Sequence, residues 1–159
     1  MITLVLGGAR SGKSAVAERL VSGDITYVAT GIASDADMAA RIELHRARRP
    51  TSWTTVECGA DLVGALRSVQ GTALVDALGT WLAQQPEFAC DAEGLCDALR
   101  DREGDTVVVS DEVGLGVHPS TEIGRRFRDA LGVVNQRVAA IADEVMLVVA
   151  GRVLRLEEL

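Results

Sequence analysis

Gly7-Gly8-Ala9-Arg10-Ser11-Gly12-Lys13-Ser14 decides how this chain is read. A glycine, four residues and then Gly-Lys-Ser has chemical meaning only when a strand precedes it and a helix follows. Ile2 to Leu6 is a continuous apolar, β-branched run, and Ser14 to Val21 has helical spacing. The context therefore fits. Glycines let backbone N–H groups turn inward around phosphate oxygens, lysine reaches the β and γ phosphates, and the serine hydroxyl suits Mg2+ beside the positive helix end. The segment reads as a P-loop, with Gly7, Gly8, Ala9, Arg10, Ser11, Gly12, Lys13 and Ser14 around the phosphates and Ser14 on the metal. A glycine-rich turn without a ligand is the alternative, and the flanking elements argue against it.

Outward from this segment, short apolar runs recur at Ile25 to Ala29, Thr72 to Val75, Thr106 to Val109 and Val145 to Val149. Strands buried on both faces have this composition. Between them Ala36 to Ala47, Asp61 to Ser68, Ala92 to Leu99 and Ser120 to Ile141 carry helical spacing. Ile123, Phe127, Leu131, Val134, Val138 and Ile141 form one apolar stripe along the last of these. Alternating strands and helices predict an α/β fold: a single P-loop NTPase-type domain over 1–159, with a mostly parallel sheet flanked by helices. Thr54 to Val56 is a candidate short strand and Val153 to Leu156, after Gly151, a candidate antiparallel edge strand. Gln84 to Gly94 is expected to be an irregular connection or lid.

Composition agrees with one compact domain. Of 159 residues 48% are apolar, enough for a continuous core, and only 3% are aromatic. Three cysteines without Cys-x-x-Cys spacing suggest neither a disulfide framework nor a zinc site, and are expected to be free thiols. The net charge of −7 argues against a general nucleic-acid or anionic-membrane binder. No apolar stretch approaches a membrane span and no charged leader is seen, so a cytoplasmic protein is expected.

A P-loop enzyme usually keeps an acid at the end of a neighbouring apolar strand for the metal. Asp76 after Thr72 to Val75 fits this role; Asp111 or Glu112 after Thr106 to Val109 is the rival, and capping of a turn the non-catalytic alternative. Asp111-Glu112-Val113-Gly114 also spells the Asp-x-x-Gly of a signalling GTPase, but no Asn-Lys-x-Asp motif follows. His45 lies one turn beyond Arg41 and is followed by Arg46, Arg48 and Arg49. Guanidinium groups favour the neutral, nucleophilic imidazole, whereas a histidine ending a basic helix is often only a dipole partner. His118 before Pro119 reads as a loop residue.

These pieces together resemble the bifunctional adenosylcobinamide kinase and adenosylcobinamide-phosphate guanylyltransferase family of cobalamin biosynthesis. The resemblance rests on residues 7–14, then Tyr27-Val28-Ala29-Thr30, Met38 to Ile42 leading to His45, and Arg49-Pro50 before Trp53. It continues through Glu112 to Gly116, Phe127-Arg128-Asp129, Asn135-Gln136 and Ala142 to Val145 before Leu147-Val148-Val149. It implies phosphorylation of the aminopropanol hydroxyl of adenosylcobinamide by ATP or GTP, then transfer of GMP from GTP to the new phosphate.

By the same resemblance His45 is the residue that bears GMP, and Ala29, Thr30, Gly31, Arg46, Ala47, Arg48, Arg49, Glu57 and Asp76 contact guanine nucleotide. Mg2+ on Ser14 and Asp76 is implied, as is a homo-oligomer, a trimer in the family. The chain departs from the family pattern at Leu44, where a first of two adjacent histidines is common, at Asp76-Ala77 in place of Glu-Cys, and at Ser110-Asp111-Glu112 in place of Thr-Asn-Glu. Its 76–106 stretch is also shorter. Two other functions fit the P-loop alone: a kinase of another small molecule, and a nucleotide-switched binding module.

Overall fold

The computed structural model describes residues 1–31, 47 and 50–158. Seven strands form one sheet in the order β3-β2-β4-β5-β1-β6-β7. They are β1 (Ile2–Gly7), β2 (Ile25–Ala29), β3 (Thr54–Glu57), β4 (Thr72–Asp76), β5 (Thr106–Asp111), β6 (Glu144–Val149) and β7 (Arg152–Leu156). All neighbouring pairs are parallel except β6–β7, which is an antiparallel hairpin. The expected strands are present, including the short one at 54 and the antiparallel edge.

The β1 run is buried throughout because both faces of the sheet are covered. Its residues alternate between two cores. Ile2, Leu4 and Leu6 face the cluster that packs beneath α2 (Leu62–Ser68), α3 (Leu78–Leu82), α4 (Ala92–Asp101) and α5 (Glu122–Ala139). Val5 faces the opposite cluster, where α1 (Lys13–Leu20) contributes Val16 and Ala17. Period-2 alternation in the strand thus sorts α1 to one face and α2, α3, α4 and α5 to the other.

Local capping starts three of these helices in the same way. Asp61, Asp91 and Thr121 each accept a hydrogen bond from the backbone N–H three residues on, at Gly64, Gly94 and Gly124. A side chain at Gly64 or Gly94 would collide with the capping carboxylate, so the glycine makes the cap sterically available. Helix α1 differs: its N-cap is Gly12, with φ 92° and no side-chain cap. The first N–H groups of α1 are thereby left for a ligand.

The expected helix at 36–47 lies, apart from Ala47, outside the described residues; Ala47 is helical and exposed. Between β4 and α4 the sequence reading missed α3, which at five residues is too short to show a period. The expected irregular stretch from Gln84 holds as far as Asp91, with one 3-10 turn at Pro86–Phe88, and Ala92 to Gly94 already belong to α4, capped by Asp91. Its Phe88 ring meets Phe127 of α5 edge-on at 5.3 Å, which ties this connection to the helix face.

Candidate nucleotide-phosphate site

Gly7, Ala29, Glu57, Asp76 and Asp111 are the last residues of β1, β2, β3, β4 and β5, so the parallel topology brings five separated sequence positions to one sheet edge. Ligands of open α/β sheets bind at this carboxyl edge. The sequence reading named all five, and the fold explains why they belong together.

The P-loop occupies the middle of that edge. Gly7 is buried, and a Cβ there would strike Ser11 Oγ and come within 2.9 Å of the Val148 carbonyl. Ser11 N donates to Gly8 O at 3.2 Å, closing the turn, while Ala9 and Arg10 face outward and Arg10 takes the left-handed φ of 57°. Ser11 Oγ is buried and has no hydrogen-bond partner among the described residues. A buried hydroxyl without a partner in a glycine-rich loop is local polarity that a bound phosphate can satisfy.

Behind the loop stands the turn between β6 and β7. Ala150 and Gly151 have φ of 50° and 72°, the positive values a two-residue hairpin needs. Gly151 N donates to Ser11 O at 2.7 Å, and Gly12 packs against the Gly151 Cα. This support was not foreseen, although a glycine between two apolar runs was its signal.

Lys13 opens α1 and has only 13% of its side chain exposed; its Nζ lies 2.7 Å from Asp111 Oδ1 and donates to Gly8 O at 3.3 Å. Asp111 is opposite Gly7 in register, which explains the meeting. The next residue, Glu112, donates its N–H to Gly7 O at 3.0 Å. A Cβ on Gly79 would collide with Asp111 Oδ2, so the missed helix α3 supplies a glycine where the carboxylate needs room.

Asp76 stands two residues lower along the sheet, level with Val109. Tyr27 Oη donates to Asp76 Oδ2 at 2.7 Å, and the Tyr27 ring stacks on Trp53 at 6.5 Å. Thr30 is fully buried; its hydroxyl accepts from Ala77 N at 2.8 Å and lies 2.7 Å from Ala77 O, and Gln84 Nε2 donates to Thr30 O. The Thr30 side chain thus fixes the chain that carries Asp76. Glu57 is exposed at the outer strand end, and Ala29 and Gly31 are half-buried. His45, Arg46, Arg48 and Arg49 lie outside the described residues.

Among the described residues no group of three or more His, Cys, Asp or Glu side chains can hold a metal by itself. Mg2+ keeps several waters and binds through one or two carboxylates plus substrate phosphates, so one hydroxyl and the strand-end acids fit it. No helix of the described chain is long and apolar enough to cross a membrane. A hollow of about 650 Å3 between the far half of α1 and the Pro50–Trp53 segment touches no P-loop residue.

Comparison with known proteins gives the same direction as the geometry. The family model described as cobinamide kinase / cobinamide phosphate guanyltransferase matches residues 3–156. The bifunctional adenosylcobalamin biosynthesis protein CobP of Pseudomonas aeruginosa is 41% identical over 165 residues, covering 95% of this chain and 94% of its own. The proteins called CobU of Escherichia coli and Salmonella typhimurium are 39% and 40% identical, each covering 95% of this chain and 97% of its own. With the match running from the first strand to the last, the chain belongs to the cobinamide kinase / cobinamide phosphate guanyltransferase family.

Proposed function

We propose that this chain catalyses both reactions of its family: phosphorylation of adenosylcobinamide, and transfer of GMP from GTP to the resulting phosphate. The observation that carries the first reaction is the phosphate cradle, with uncapped α1, the buried orphan Ser11 hydroxyl and Lys13 turned toward the loop. The aminopropanol hydroxyl oxygen attacks the γ phosphorus, the bond to the β-γ bridging oxygen breaks, and the hydroxyl proton is released as ADP or GDP leaves. Lys13 and the loop N–H groups offset charge on the transferring group. Ser14 and Asp76 are the residues that would hold Mg2+, which when bound adds positive charge at the phosphates.

The second reaction rests on His45 and its resemblance to the family nucleophile. An imidazole nitrogen attacks the α phosphorus of GTP, pyrophosphate leaves, and a phosphoramidate carries GMP. An oxygen of adenosylcobinamide phosphate then displaces the imidazole, giving the GDP derivative and restoring His45. Ala29, Thr30, Gly31, Ala47, Glu57 and Asp76 hold the guanine nucleotide, and Arg46, Arg48 and Arg49 offset phosphate charge. A cytoplasmic homo-oligomer, a trimer as in the family, completes the reading.

GTP labelled at the α phosphate tests the covalent step. Label is expected on His45, stable to alkali and labile to acid, with no label from γ-labelled GTP. His45→Ala should abolish the adduct and retain kinase turnover. Production of GDP-cobinamide without any α label on the protein would defeat the mechanism.

A further inference from the structure

We propose that the loop from β5 to α5, residues 112–121, is the docking surface for the corrin ring of the acceptor, with Leu115 and Val117 as its contact side chains. This deepens the kinase reading above and rests on it. Leu115 is 80% exposed and Val117 96%, and Ile123 just beyond the loop is 64% exposed. Single exposed apolar residues need no explanation, but three within nine positions do.

The loop is not slack. At its start Glu112 N donates to Gly7 O at 3.0 Å, and Glu112 Oε1 accepts from Gly114 N. At its end Arg125 Nη1 donates to Pro119 O at 3.1 Å and Ser120 O at 3.2 Å, and Arg128 Nη1 lies 2.8 Å from His118 Nδ1. Polar contacts thus pin both ends and leave the apolar tips outward. A surface fixed in advance loses less conformational freedom when it is covered.

Position identifies the occupant. The loop leaves the strand end whose Asp111 holds Lys13, so Leu115, four residues on, is within about 14 Å of chain from that carboxylate. In-line transfer places the acceptor oxygen opposite the leaving oxygen. The P-loop and α1 wrap the leaving side on one face of the sheet, whereas the β5–α5 loop crosses to the helices of the other face. An acceptor hydroxyl carried on a flexible arm therefore brings its ring over this loop. A corrin is a broad macrocycle whose rim carries methyl groups between its amide arms, and those methyl groups suit aliphatic tips. A second copy of the chain would need at least about 600 Å2 per partner, far more than three side chains offer.

The test uses the full chain with Leu115→Ser and Val117→Ser combined; both positions are exposed, so the fold is not at stake. Cobinamide binding is read by ultrafiltration and its visible absorbance, nucleotide binding by titration, and mass by light scattering. The double variant should bind cobinamide about tenfold or more weakly, from lost apolar contact, with nucleotide Kd and mass unchanged. Undiminished cobinamide binding would overturn the assignment, as would a fall in oligomer mass, which would make the loop a self-association surface. A wild-type chain that fails to bind cobinamide would remove the acceptor reading itself, and this surface with it.

Discussion

Lys13 Nζ is 2.7 Å from Asp111 Oδ1, so the cation that a P-loop aims at phosphate is engaged by a carboxylate of the adjacent strand. A nucleotide must compete with Asp111 for this charge. Asp76, by contrast, accepts from Tyr27 and stands at the end of a strand one further from the P-loop.

The two acids should therefore fail differently. Asp111→Asn removes a competitor and a like charge, so nucleotide binding without Mg2+ should tighten, by about tenfold if one charge-assisted contact is released to phosphate. Asp76→Asn should raise the Mg2+ concentration needed for half-maximal activity. Lys13→Ala should weaken nucleotide binding at least about tenfold. Titration of nucleotide with and without Mg2+ checks the first and third, and activity against Mg2+ concentration the second; a larger metal effect in the Asp111 variant would reverse the assignment.

Arg102 should matter to stability and not to nucleotide binding. Its guanidinium donates to Leu66 O and Val69 O at the end of α2, to Gly71 O at 2.6 Å, and through Nε to Thr106 Oγ1 at 3.1 Å. Burial pulls its pKa down from the usual arginine value, yet the carbonyl partners all favour the cation. Arg102→Met should cost about 2–4 kcal/mol in urea unfolding. Arg102→Lys, a point charge without the planar fork, should lose less. A midpoint within experimental error of wild type would show that these carbonyls are satisfied by water.

Cys58, beside the strand-end row, should remain a thiol well into alkali. Burial pushes its pKa up from 9.0 to about 11, and Asp61 adds to this while the backbone hydrogen bond opposes it. A neutral form favoured by folding contributes stability that is full below pH 9 and is lost as pH rises toward 11. Between pH 9 and 11 the unfolding midpoint of wild type should therefore fall more steeply than that of Cys58→Ser. Equal slopes for the two proteins between those pH values would contradict it.

The strand-end positions were legible because each closes an apolar run, as Gly7 and Asp76 do, and β2 was read with its observed bounds. What sequence could not show was lateral order. Nothing in the Thr106 run says that it pairs with β1, so the meeting of Lys13 with Asp111 was not foreseen. Helix α3 escaped because five residues carry no period, although Gly79 gives Asp111 its space. Thr30 was named as a nucleotide contact; the bonds of its hydroxyl to Ala77, which tie it to the chain beside Asp76, were not foreseen.

The contact from Gly151 to Ser11 has a consequence for the order in which the site is made. The P-loop is made before both strands that flank β1, because β5 and β6 lie far downstream of it. Its rear support comes later still, in the final hairpin. During synthesis the motif that identifies the enzyme must wait for nearly the whole chain before it has walls. Nucleotide capture thus has to wait until Gly151 has been made and has reached Ser11.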